Sequence, residues 1–194
     1  MILEIILLAL FIIIPIVLFY KLIPMKYHLM AFVFGSLFAF AVAFIKGYSW
    51  HDLGFRLDNF MAADGYYYIM FFLAFGLCAY FKQNNYKMDY IRIIGRDNLK
   101  SNWALALIPA QEIIFRSILF PALLSFGLSL PWIILIMSFL FGFAHIPFHS
   151  WKIFALTLVL GTGISAIYVF FPNFYLVTIL HGIVWITAHF FKII

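Results

Sequence analysis

The sequence predicts an all-α fold, a polytopic transmembrane helical bundle of about seven spans, on three observations. Mean hydropathy is +1.12 across 194 residues, of which 67% are hydrophobic. Only 10% are charged, where a soluble domain uses roughly a quarter to cover its surface. The apolar residues also fall in runs close to the roughly 20 that a helix needs to cross a bilayer core. Lipid must therefore solvate much of the exterior. At this length the whole chain, residues 1–194, reads as a single membrane domain.

The first span is expected at Ile2–Tyr20. Its start, Met1-Ile2-Leu3-Glu4, lacks a basic n-region, and no small-residue cleavage site follows, so it reads as a retained helix. The second covers Tyr27–Ile45. The third, Tyr66–Phe81, is short and reads as tilted or partly interfacial. The others are Asn102–Phe126, Leu130–Ile146, Lys152–Phe171 and Phe174–Phe191. Pro24, Pro131, Pro147 and Pro172 punctuate the ends, where an imide without an N–H does least harm.

Two polar stretches interrupt the apolar runs: Gly47–Asp64, with three aspartates, and Lys82–Lys100, with five basic residues. Loops on one side carry Lys21, Lys26, Lys82, Lys87, Arg92, Arg96, Lys100, Lys152 and Lys192. The other side carries Lys46 and Arg56. That asymmetry places the C-terminus in the cytoplasm and the N-terminus outside, in a multi-pass cell-membrane protein.

The net charge of +5 does not indicate nucleic acid, because the basic residues form no stripe with interleaved aromatics. They suit topology and lipid headgroups. Cys78 is the single cysteine, which excludes an internal disulfide and a cysteine-based metal site.

Of the charged residues, only Glu112 and Arg116 fall deep inside a predicted span. Ionised groups at that depth pair, face the bundle interior and mark function. Four residues apart, they share one helix face; the alternative role is a structural bridge. His145 and His181 lie on two further spans. Either alone reads as an interhelical hydrogen-bond partner. Together with a carboxylate they suit water activation or metal binding. His149 reads as a loop residue and His189 as a helix-end one.

The run Gln111-Glu112-Ile113-Ile114-Phe115-Arg116 resembles the EExxxR motif of the CPBP intramembrane proteases, the CAAX-processing and bacteriocin-processing family. That family includes the Ras-converting CAAX endopeptidase. Phe141-Gly142-Phe143-Ala144-His145 resembles its FxxxH motif, and His181-Gly182-Ile183-Val184-Trp185 its HxxxN motif. The resemblance spans residues 102–190.

It implies an endopeptidase acting on a membrane-associated or prenylated peptide, with the bilayer and a lipidated protein as partners. The first Glu position and His145 would activate water. His181 and the Asn position would stabilise the oxyanion, and Glu112 and Arg116 would hold the site. A divalent metal such as zinc is compatible with the family. Glu112, His145 and His181 would be its ligands if one binds, and none is assigned.

Two positions depart from the motifs. Gln111 stands where the first Glu belongs, and a neutral amide cannot accept the water's proton. Trp185 stands at the Asn position, where an indole offers one N–H and no carbonyl. The first departure admits three explanations: an inactivating change, transfer of the base role to Glu112, or a non-proteolytic member. The last would be a scaffold for bacteriocin self-immunity or regulation. His189, on the same face as Trp185, is a further polar candidate.

Other intramembrane chemistries fit less well. The chain has no HExxH and no aspartate pair inside spans. Gly161-Thr162-Gly163-Ile164-Ser165-Ala166 mimics a dinucleotide fingerprint, but small residues four apart in an apolar helix indicate close packing.

Overall fold

The computed structural model describes residues 28–61, 64–84, 103–145 and 151–190. Among them the chain is helical, without a strand. The expected first span, most of the Lys82–Lys100 stretch, Pro147 and His149 lie outside the described residues.

Helix α1 covers His28–Ile45 and α2 Asp64–Gln83. The latter has 20 residues, so the third expected helix extends beyond the Tyr66–Phe81 apolar run at both ends. The extension consists of Asp64 and Gly65 at one end and Lys82 and Gln83 at the other, which are polar or small yet helical. Next come α3 (Trp103–Glu112), a π-helical stretch (Ile113–Ile118) and α4 (Leu119–Ser125), continuous in the chain. Then follow α5 (Leu130–Phe143), α6 (Trp151–Phe170) and α7 (Phe174–Phe190).

Pro109 and Pro121 flank the π-helical stretch. Each withdraws a backbone donor and crowds the carbonyl one turn back. The ladder between them widens, and the N–H of Leu119 reaches back to the carbonyl of Ile114. Such widened turns occur mostly at functional sites. Gly127, at φ 73°, ends the helix in the left-handed region, and Pro131 starts α5 within its first turn.

Residues 107–125 form one helix long and apolar enough to cross a membrane, 19 residues with mean hydropathy 1.5. It is the central one, 67% buried. Shorter apolar helical stretches surround it at Phe32–Ile45, Leu130–Phe143, Phe154–Phe170 and Phe174–Ala188. Helix α5 packs along α6, α7 packs on α2 and α3, and the π-helical stretch touches α1, α5 and α7.

The outside is apolar. Phe34, Ile69, Phe72, Trp132, Leu135, Phe170 and Ile186 are all exposed. The inside holds Glu112, Arg116, Ser117, Ser138, Ser165 and Asn173. That inversion suits a lipid solvent, in which polar groups must be satisfied internally. Two buried hydroxyls comply by donating to their own helix: Ser138 to Ile134 at 2.5 Å and Thr187 to Ile183 at 2.7 Å, both carbonyl oxygens.

The Gly47–Asp64 stretch is an ordered latch over its described part. Asn173 caps α7, accepting from the Leu176 N–H at 2.9 Å. Its amide donates to the Arg56 carbonyl at 2.7 Å and to Asn59 Oδ1 at 2.8 Å. Tyr168 donates to the Leu53 carbonyl at 3.0 Å, and the Phe174 N–H to Gly54 at 2.8 Å. Gly54 has φ 79°, and a Cβ there would lie 2.5 Å from the Tyr168 hydroxyl, so no larger residue fits. The Ser49 hydroxyl and N–H donate to Asp52 at 2.6 and 2.8 Å, holding that carboxyl below the usual range. Phe55 stacks on Phe174 at 4.4 Å. The polar stretch thus fixes the end of α7 that leads to His181.

Candidate active site

Glu112 is the last residue of α3 and Arg116 lies in the π-helical stretch; both are fully buried. Arg116 Nη1 donates to Glu112 Oε1 at 3.1 Å. The same oxygen lies 2.6 Å from His181 Nδ1, contributed by α7. A carboxylate only accepts, so Nδ1 carries the proton. Glu112 is therefore the junction between an ion pair along one helix and a carboxylate–imidazole pair across two.

Helix α5 closes the other side. The guanidinium of Arg116 sits over the Phe141 ring, 4.2 Å from its centroid, a favourable position for a cation on a π face. His145, one turn on, places Nδ1 2.8 Å from the Phe141 carbonyl. That carbonyl can only accept, so Nδ1 is again the protonated nitrogen and Nε2 bears the lone pair. The centroids of His145 and His181 lie 4.8 and 5.4 Å from that of Phe141. The imidazoles can be no farther apart than the sum of those distances. Phe141 is the common neighbour of Arg116, His145 and His181.

The structure thus brings Glu112, Arg116, Phe141, His145 and His181 into one cluster. Gln111 is buried beside Glu112 on α3 but makes no side-chain hydrogen bond among the described residues. It stands outside the network joining Glu112, Arg116 and His181. Trp185 is half-buried one turn beyond His181 on α7. Glu112 Oε2 and Arg116 Nε and Nη2 are buried without a hydrogen-bond partner among the described residues. Buried polar atoms are rarely left so, and these represent hydrogen-bonding capacity at the site.

The set Glu112, His145 and His181 does not fit a metal as it stands. Glu112 Oε1 is engaged by Arg116 and His181, and the guanidinium adjoining the carboxylate repels a cation there. Among the described residues no group of three His, Cys, Asp or Glu is arranged to hold one.

Three residues with a structural hold on the site have no signal in the motifs. Gly161 of α6 faces Phe141, while Tyr168 and Asn173 anchor the loop. An asparagine directly before an apolar helical run, Asn173 before Phe174, is one local clue, since it signals an N-cap, and the small residues from Gly161 are another, since they signal close packing.

Fold and site define a helical bundle with an apolar exterior and a carboxylate, a guanidinium and two imidazoles gathered inside. Residues 102–187 match the family described as type II CAAX prenyl endopeptidase Rce1-like. This region belongs to the CAAX-protease (CPBP) family, and its bounds contain every clustered residue. No curated protein and no solved structure matches the chain.

Proposed function

We propose that the protein is an intramembrane endopeptidase that cleaves a membrane-associated, prenylated peptide, and that His181, backed by Glu112, activates the attacking water. The observation that carries this reading is the 2.6 Å contact between His181 Nδ1 and Glu112 Oε1. With the proton on Nδ1, Nε2 has the lone pair that accepts a proton from water. The hydroxide attacks the scissile carbonyl carbon, and the imidazolium returns the proton to the departing amine nitrogen as the C–N bond breaks. Glu112 stabilises the positive charge that forms on the ring. His145, through Nε2, orients the same water. Arg116 keeps Glu112 ionised and in place.

On this reading the chain is one membrane domain of about seven spans. Its N-terminus is outside and its C-terminus cytoplasmic, as the distribution of Lys and Arg implies. The substrate approaches from the cytoplasmic side.

The test is cleavage of a prenylated CAAX-type peptide by the protein reconstituted in liposomes. Turnover that disappears in His181→Ala and falls steeply in Glu112→Gln is expected. Turnover retained in His181→Ala would overturn the assignment of the base. Gln111 and Trp185 favour a second reading, a non-proteolytic membrane protein on the same scaffold, because they replace a carboxylate and an amide. Absence of turnover in the parent, with the cluster intact, would select it.

A further inference from the structure

We propose that Gly161 is a positioning residue for the site, acting through Phe141. Gly161 lies on α6 and is buried, outside all three motifs and sixteen residues from the nearest motif position, His145. A Cβ built on it would lie 2.8 Å from Phe141 Cδ1, with Cε1 and Cγ at 3.6 Å. Real Cβ atoms do not approach ring carbons that closely, so any side chain at 161 must displace the ring. The ring has little room to move. It is 3% exposed, meets Phe115 edge-on at 5.7 Å, and has the Arg116 guanidinium over its face.

The displacement would reach the chemistry, because Phe141 touches all three cationic or proton-carrying partners of Glu112 and the water. Arg116 rests on its face. The His181 ring stands nearly perpendicular to it at 81°, and His145 is hydrogen-bonded to its carbonyl as well as packed on its ring. The missing side chain of Gly161 therefore lets α6 seat the phenyl ring where Arg116 and both imidazoles meet it. Gly142, beside Phe141 in the chain, is less demanding: a Cβ there would meet the Phe154 ring, also on α6, at 3.2 Å.

The activity arm of this proposal rests on the peptidase reading; the spectroscopic arm does not. The experiment uses full-length protein in detergent micelles with isotope-labelled histidine. It compares the parent with Gly161→Ala, Phe141→Leu and the double variant. A phenyl ring this close shifts imidazole proton resonances through its ring current. Gly161→Ala should move the resonances of His145 and His181 and leave that of His51, in the loop after α1, unchanged. In the Phe141→Leu background, adding Gly161→Ala should move them no further.

In liposomes, kcat for the prenylated peptide should fall about tenfold or more with KM little changed, as misplacement of reacting groups predicts. Imidazole resonances unchanged by Gly161→Ala would overturn the proposal. If Gly161→Ala does not fold, the double variant should recover folding, because leucine vacates the contested space; failure to recover would also overturn it. Shifted resonances in a parent without turnover would sink the peptidase reading alone.

Discussion

Glu112 Oε1 accepts from His181 Nδ1 at 2.6 Å while it also accepts from Arg116 at 3.1 Å. One oxygen thus joins the α3–π-helical segment to α7. Both Glu112 and Arg116 are excluded from solvent. In an interior of low dielectric neither charge is tolerable alone, while each offsets the other's desolvation.

Removing one partner should therefore be severe. Glu112→Ala leaves a buried guanidinium with only the Phe141 face for company, and Arg116→Ala leaves a buried carboxylate. Each should cost roughly 3 to 5 kcal/mol and lower the thermal midpoint in detergent markedly. Glu112→Gln keeps the shape and an acceptor and should melt between the parent and Glu112→Ala. Thermal unfolding of the three variants beside the parent checks this, and parent-like midpoints for both alanine variants would refute the pairing.

The latch offers a test far from the chemistry. Asn173→Ala removes the cap on α7 and both donations into the Arg56–Asn59 loop. The expected loss is about 1 to 3 kcal/mol, from a lost cap and unmet buried partners. Asn173→Asp keeps the acceptor for Leu176 and loses the donations, so it should lie between. Limited proteolysis between Gly47 and Met61 should rise in step with the thermal loss. An Asn173→Ala protein as protease-resistant as the parent would show that the loop is held by its aromatic contacts alone.

Topology is tested independently of both. The proposed seven-span arrangement, drawn from the division of Lys and Arg between the two sets of loops, would put the termini on opposite sides of the membrane. Single cysteines introduced near each end, in a Cys78→Ser background, should be labelled by an impermeant maleimide from opposite faces of intact cells. Labelling of both from one face would remove the seven-span arrangement. Native Cys78 is buried in α2 and should label slowly in the parent.

The helices were legible because apolar runs and proline or glycine stops are local. His28–Ile45, Trp151–Phe170 and Phe174–Phe190 begin and end within a residue or so of the runs that predicted them. Glu112 and Arg116 were legible as a pair because charge in an apolar helix is costly and four residues make one turn. What the residues could not convey is that His181 would claim the oxygen used by Arg116, since this depends on how α7 crosses α3. The π-helical stretch was equally hidden: Pro109 and Pro121 lie inside one apolar run, and their effect shows only in the widened ladder between them. Gly161 was read as a packing glycine, which it is. That it packs on Phe141 depends on the pairing of α5 with α6.

Gln111 sets the last test, because it bears on whether the chain is limited by a lost carboxylate. It is buried immediately before Glu112, and its amide cannot take a proton from water. Gln111→Glu restores the carboxylate of the EExxxR motif next to a group already satisfied by Arg116 and His181. The new acid is expected to take up a water shared with His145. Peptidase activity toward a prenylated peptide should therefore appear or rise, by about 10²-fold if general-base catalysis is what the parent lacks. His145→Ala in the Gln111→Glu background should remove the gain, since carboxylate and imidazole would act on one water. Liposome assays with the same peptide, run on parent, single and double variants, measure this directly. A rise that survives His145→Ala would separate His145 from the water. No rise at all in a well-folded Gln111→Glu protein would leave Trp185 as the second departure, and Gln111→Glu combined with Trp185→Asn should then be the variant that turns over.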